Sequence, residues 1–208
     1  MSASDAAPAA SAASAASAAS AASAPAPFAP WLVAIDLQRV FADPASPWGA
    51  PRFADAASAI SRLAPAFSNR VVRTRWVAPH VARGAWADYF AQWPFAMEAP
   101  EHPMFDLIEP FDALPGQIET RETFGKWDLG LAAATCGTHE IVLVGVATDC
   151  CVLSTALAAA DAGVHVRIAV DGCAGGTDED HERALAAMAL YAPLITLTTV
   201  DEVLASLG

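Results

Sequence analysis

The chain has 208 residues and a formal charge of −12, from 11 Lys+Arg against 23 Asp+Glu. So acidic a composition argues against nucleic acid and anionic membranes as partners, and no apolar run approaches the length that spans a bilayer. The cysteines at 136, 150, 151 and 173 form neither a disulfide framework nor a zinc pattern, so a reducing, cytoplasmic setting is expected.

Residues 1–27 are almost only Ala, Ser and Pro, with an Ala-Ala-Ser repeat. This is low complexity without large apolar side chains, expected to be disordered or a fluctuating helix. No Lys or Arg precedes Arg39, so the basic region of a secretory signal is missing. Residues 28–208 are expected to form one domain. Its first strand is WLVAI from Trp31, ending at Asp36. A carboxylate at the end of a buried strand is costly unless paired, and strand carboxyl ends are where parallel sheets build sites. A Pro-rich loop from Asp43 to Pro51 leads to a helix over about 54–67, in which Pro65 is awkward for the last turn.

A second strand follows at Arg70–Trp76. The segment 77–105 is the least regular, carrying Trp86, Tyr89, Phe90, Trp93 and Phe95 among prolines. An insert this aromatic is either a pocket wall or an oligomer contact. A short strand at 117–120 and a short helix at 129–135 lead into the central segment. Beyond it come a strand at His165–Val170 closed by Asp171, a helix from Thr177 or Asp178 to about Tyr191, a strand at 194–198 and a helix at 200–207. His181 reads as a solvated residue on the polar start of its helix. Alternating strands and helices predict an α/β domain, a mostly parallel sheet of about six strands with helices on both faces.

The central segment is IVLVGVATDCCVLSTALAAADAG, residues 141–163. Its apolar β-branched start predicts a strand buried on both faces. Gly145 marks a sharp turn, Thr148 and Asp149 offer helix N-caps, and the following helix stops at Gly163. Cys150 and Cys151 then fall in the first helical turn. Free N–H groups and the helix dipole there favour a thiolate and can hold a developing oxyanion. A thiol also needs a base, for which a carboxylate serves, and a nearby cation stabilises the charge that develops. Asp36, Cys151 and either Lys126 or Arg121 are the candidates for these roles.

Asp36-Leu37-Gln38 after a strand, together with Gly145-Val146-Ala147-Thr148-Asp149-Cys150-Cys151-Val152, resembles the signatures of the isochorismatase-like cysteine hydrolases. The resemblance implies a three-layer α/β/α fold with a six-stranded, mostly parallel sheet. It places the nucleophile at Cys151, with Cys150 left as a packing residue, and the acid at Asp36. It also implies a cis peptide between Val146 and Ala147, with the oxyanion held by the N–H groups of Ala147 and Cys151. The family's lysine slot is occupied by Arg121, and Lys126 comes five residues later in RETFGKW. Three accounts follow: Lys126 replaces the usual lysine, Arg121 acts as a fixed clamp, or activity is lost; the TFGKW run favours Lys126. No D-x-H run of the kind that holds metal in nicotinamidases occurs, so no metal and no cofactor are expected.

The leading expectation is a metal-independent cysteine hydrolase cleaving an amide or carbamoyl C–N bond of a small molecule. The alternatives are a vinyl ether hydrolase of isochorismate type and a non-catalytic binding protein on the same fold. Phe41, Trp86, Trp93 and Trp127 are the candidate substrate contacts, and the resemblance suggests a homo-oligomer.

Overall fold

The computed structural model describes residues 29–208. The expected tail at 1–27 and the domain's first residue lie outside the described residues. Six strands form one sheet: β1 (Trp31–Ile35), β2 (Val71–Trp76), β3 (Gln117–Arg121), β4 (Glu140–Val146), β5 (His165–Ala174) and β6 (Ile195–Thr198). The order is β3-β2-β1-β4-β5-β6, and every neighbouring pair is parallel. The order reverses between β1 and β4. Both are buried along nearly their whole length, as their unbroken apolar sequences require.

Their side chains divide between two cores. Leu32, Ala34, Val142 and Val144 face one side, and Trp31, Val33, Ile35, Ile141 and Leu143 face the other. Each large aliphatic side chain buried there contributes about 1.5–3 kcal/mol. The first core is covered by α2 (Phe53–Leu63) and α7 (Val200–Leu207), the second by α4 (Leu129–Ala134), α5 (Leu153–Asp161) and α6 (Asp178–Ala189). The result is the three-layer α/β/α arrangement.

Three local expectations change. The helix before β2 is α-helical only to Leu63; with Pro65 the chain tightens into a 3-10 turn over Ala64–Phe67. Gly145 is not a turn but a close approach inside β4. Its φ is +112°, and a Cβ there would lie 2.1 Å from the Ile35 carbonyl oxygen. Beside it the β4–β5 register shifts, which lets β5 run on past Asp171 and pair Cys173 with Gly145 and Ala174 with Val146. Asp171 then accepts a hydrogen bond from the Val200 N–H at the start of α7, 2.8 Å away.

The 77–105 insert is more ordered than its sequence suggests. It contains α3 (Ala85–Gln92) and 3-10 turns at Pro94–Ala96 and Pro103–Phe105. Gln38 fastens it to the sheet. Its Nε2 donates to the carbonyls of Trp76 and Phe105, both at 2.7 Å, and its Oε1 accepts from the Trp76 N–H at 2.8 Å.

Candidate active site

A reversal in strand order opens a crevice at the carboxyl ends of the strands on either side of it. Here those ends carry Asp36, just past β1, and the segment Ala147–Val152, just past β4. Asp36 is wholly buried and adopts φ +50°, a left-handed conformation that costs a non-glycine residue about 1–3 kcal/mol. Thr74 on β2 holds it from two sides. The Thr74 hydroxyl donates to Asp36 Oδ1 at 2.7 Å and accepts from the Asp36 N–H at 3.1 Å.

The other carboxylate oxygen meets a cation. Lys126 Nζ lies 2.9 Å from Asp36 Oδ2, and both side chains are fully buried. Lys126 Nζ also donates to the Thr123 carbonyl at 2.8 Å. The lysine backbone is tied to the Cys151 turn through Thr155, whose hydroxyl accepts from Lys126 N–H at 3.0 Å and donates to the Cys151 carbonyl at 2.6 Å. Arg121 is elsewhere. It sits at the end of β3 with its guanidinium shared between Asp128 (2.8 and 2.9 Å) and Glu119 (2.9 Å). The structure therefore brings Lys126, not Arg121, to Asp36. The physical reason is the Thr123–Trp127 bend, which turns Lys126 under the sheet end while Arg121 still points out along an edge strand.

The segment Thr148–Val152 is a π-helical turn preceding α5, and the Val146–Ala147 peptide is cis. Thr148 and Asp149 do not cap it, contrary to the sequence expectation. The Thr148 hydroxyl is hydrogen-bonded to His181 Nδ1 at 2.8 Å, and Asp149 Oδ1 accepts from the Gly176 N–H at 2.9 Å. Both side chains are drawn to the start of α6, so that segment braces the turn. His181 is consequently half-buried rather than solvated, and burial, then the charge of Arg52, push its pKa below the ordinary histidine range.

Cys151 is 4% exposed and lies close enough to Asp36 and Lys126 to feel both charges. Burial works against the expected thiolate. Burial raises the thiol pKa well above its usual value, the Asp36 charge raises it further, and Lys126 opposes the two. The short π-helical turn does not outweigh desolvation of a buried sulfur. The group is a buried thiol beside the Asp36–Lys126 pair.

Above the thiol lies a cavity of about 360 Å³. Ala147, Cys150 and Cys151 form its floor, and Phe41, Trp48, Trp76, Tyr89, Trp93 and Phe124 form its walls. The aromatic insert thus supplies a pocket wall. Phe41 and Trp93 line it, but two of the four candidate contacts do not. Trp86 stands behind the wall, packed on Tyr89, Phe90 and Phe124 at centroid distances of 5.4, 5.7 and 5.1 Å. Trp127 packs into the second core and borders a separate surface cavity beside Leu129 and His139, because the bend that turns Lys126 inward turns its neighbour away. Cys150 is not only a packing residue: it lines the cavity, with its thiol pKa pushed up to about 12 by burial and then by Asp149.

Sequence reasoning missed Trp48, Thr74 and Thr155, and read His181 only as solvated. Thr155 had a signal, since it lies four residues after Cys151 on one helical face. Trp48 had none beyond being aromatic in a Pro-rich loop. That loop folds so tightly that a Cβ on Gly49 would lie 2.4 Å from the Asp43 carbonyl oxygen, and this turns Trp48 into the cavity. Among the described residues, no group of three or more His, Cys, Asp or Glu side chains could hold a metal ion. No helix there is long and apolar enough to cross a membrane.

Fold and strand-end geometry define an α/β protein with its site at the switch point of a six-stranded parallel sheet. The isochorismatase domain model matches residues 30–201, and the chain belongs to the isochorismatase-like hydrolase family. Among solved structures it is similar to a cysteine hydrolase from Pseudomonas syringae pv. phaseolicola (TM-score 0.76, 18% identity, 88% of this chain and 93% of that one). It is also similar to a nicotinamidase pyrazinamidase from Acinetobacter baumanii (TM-score 0.63, 19% identity, 83% and 96%). An N-carbamoylsarcosine amidase from Thermoplasma acidophilum gives a TM-score of 0.64 at 16% identity, over 83% and 96% of the two chains. At such identities these likenesses carry the fold. Comparison with functionally curated proteins gave no match.

Proposed function

We propose that the protein is a cysteine hydrolase that cleaves the C–N bond of a small amide or carbamoyl compound without a metal. The observation that carries this reading is the fully buried Lys126–Asp36 ion pair at 2.9 Å, set beside the Cys151 thiol at the floor of a substrate-sized cavity. A buried ion pair is a poor stabilising device, since desolvation offsets most of its attraction. Its presence next to a nucleophile is better explained by chemistry.

In the proposed reaction Asp36 takes the thiol proton as sulfur attacks the substrate carbonyl carbon. Lys126 holds the carboxylate oriented and supports the negative charge that forms. The carbonyl oxygen becomes an oxyanion, received by the backbone N–H groups of Ala147 and Cys151. When the tetrahedral adduct collapses, the C–N bond breaks and Asp36 returns its proton to the leaving nitrogen. Ammonia or an amine departs and leaves a thioester. Asp36 then accepts a proton from water, which attacks the thioester and frees the acid and the thiol.

The test is an ammonia-release screen over small amides and carbamoyl compounds, run on the wild type and on Cys151→Ala. The expected outcome is at least one substrate whose turnover falls roughly 10³-fold or more in the variant. Undiminished hydrolysis by Cys151→Ala would remove the thiol from the mechanism and revive the vinyl ether alternative, which needs no nucleophilic sulfur.

A further inference from the structure

The cavity over Cys151 has an uneven chemistry. Its walls are six aromatic rings, gathered around Trp48. Trp48 meets Trp76 edge-on at 5.1 Å and Trp93 at 6.0 Å, lies 6.2 Å from Tyr89 and stacks on Phe41 at 6.1 Å. Ring faces carry the negative part of the aromatic quadrupole. Among the described residues, the charged ones that line the same cavity are Asp149 and Asp180, and no Lys, Arg or His lines it. Lys126 is 1% exposed and already paired with Asp36. Asp180 shares its charge with Arg183 at the surface.

Asp149 is different. It is half-buried, accepts hydrogen bonds from the Gly176 N–H at 2.9 Å and weakly from the Cys150 thiol at 3.5 Å, and makes no ion pair among the described residues. An anionic substrate would face this carboxylate with nothing cationic in the wall. A neutral apolar substrate would displace water from it and leave it without compensation. A small organic cation answers both features at once, its charge near Asp149 and its alkyl groups against the rings.

We infer that the substrate carries a compact cationic group, of the alkylated ammonium kind, held between the aromatic walls and Asp149 while its carbonyl reaches Cys151. The placement of the carbonyl rests on the reading of Cys151 as the nucleophile; the cation preference rests on the walls and Asp149 alone.

Two arms of one experiment keep these apart. In the first, Cys151→Ala protein is titrated with choline and with its neutral isostere 3,3-dimethylbutan-1-ol, following tryptophan fluorescence at about 0.15 M salt, where diffuse attraction to the acidic surface is screened. Choline should bind at least about tenfold more tightly. That ratio should fall towards one in Asp149→Asn, and choline affinity should fall in Trp93→Leu. Equal or tighter binding of the neutral alcohol, or no binding of either, overturns the inference. In the second arm the wild type is given (trimethylammonio)acetamide and its neutral isostere 3,3-dimethylbutanamide. Preference for the cationic amide in kcat/KM supports the inference. Equal or better turnover of the neutral amide overturns it and leaves the cysteine hydrolase reading standing. Selective choline binding with neither amide hydrolysed leaves the cation site standing and counts against hydrolysis.

Discussion

The floor and the walls of the cavity are built on different physical principles. The floor rests on a polar, fully buried layer at the carboxyl end of the sheet: Asp36, Thr74 and Lys126 have almost no exposed surface, and hydrogen bonds or an ion pair hold each. The walls are aromatic and drawn from loops, the helices Arg39–Ala42 and α3, and the end of β2, where ring contacts replace directed bonds. Directed bonds at buried sites fix atoms to within fractions of an ångström, as proton transfer requires. Ring packing tolerates adjustment, as recognition of a substrate allows. Under the proposed function, reaction chemistry falls to the floor and substrate choice to the walls.

That division can be broken most directly at Lys126. Lys126→Met leaves the Asp36 charge buried without its partner and should destabilise the fold by about 3–5 kcal/mol, read as a shift in the urea midpoint. A loss below about 1 kcal/mol would mean that the ion pair is not an element of the floor. Thr74→Val should cost about 1–3 kcal/mol, since it removes both hydrogen bonds that hold Asp36, and should lower kcat more than it raises KM. Trp93→Leu should do the reverse, raising KM with kcat nearly kept. If the two variants shift the same constant, floor and walls do not have separate tasks.

Arg121→Ala removes exposed and half-exposed pairs and should cost no more than about 1 kcal/mol. Comparing it with Lys126→Met separates the two cations that the sequence offers. The smallest effect near neutral pH comes from the thiols. Cys150 and Cys173 have pKa values pushed up to about 12 by burial, that of Cys151 is raised well above its usual value, and burial also lifts Tyr89 to about 12. The folded chain therefore keeps protons that the unfolded chain loses, beginning at about pH 8.5 for cysteine and about 10 for tyrosine. Their contribution to stability is fully present below about pH 8.5 and is lost as pH rises towards the folded values. The same displacement predicts slow iodoacetamide labelling of Cys151 at neutral pH in the ligand-free protein. Rapid labelling there would show a resting thiolate and contradict the raised thiol pKa.

Much of the fold was legible because the strands WLVAI and IVLVGV are unbroken apolar runs. Only a sheet covered on both sides accommodates them, and the helices between them carry their own start and stop signals. Asp36 and Cys151 were legible for a related reason: a carboxylate and a thiol at the ends of such runs have no packing purpose. The function of Gly145 was misread because a glycine required by an adjacent strand looks, in sequence, like one required by a turn. His181 was misread because its partner, Thr148, lies on another element.

By itself the sequence determined the layers, the strand ends that carry the site, and the residue types available there, because local pattern and burial are properties of contiguous residues. The tertiary structure decided which cation reaches Asp36, which charges surround the Cys151 thiol, and which aromatics face the cavity. Each of those depends on two or more segments distant in the chain meeting at one point, as when Thr155 ties the Lys126 backbone to the Cys151 carbonyl. No spacing within a single segment encodes such a meeting.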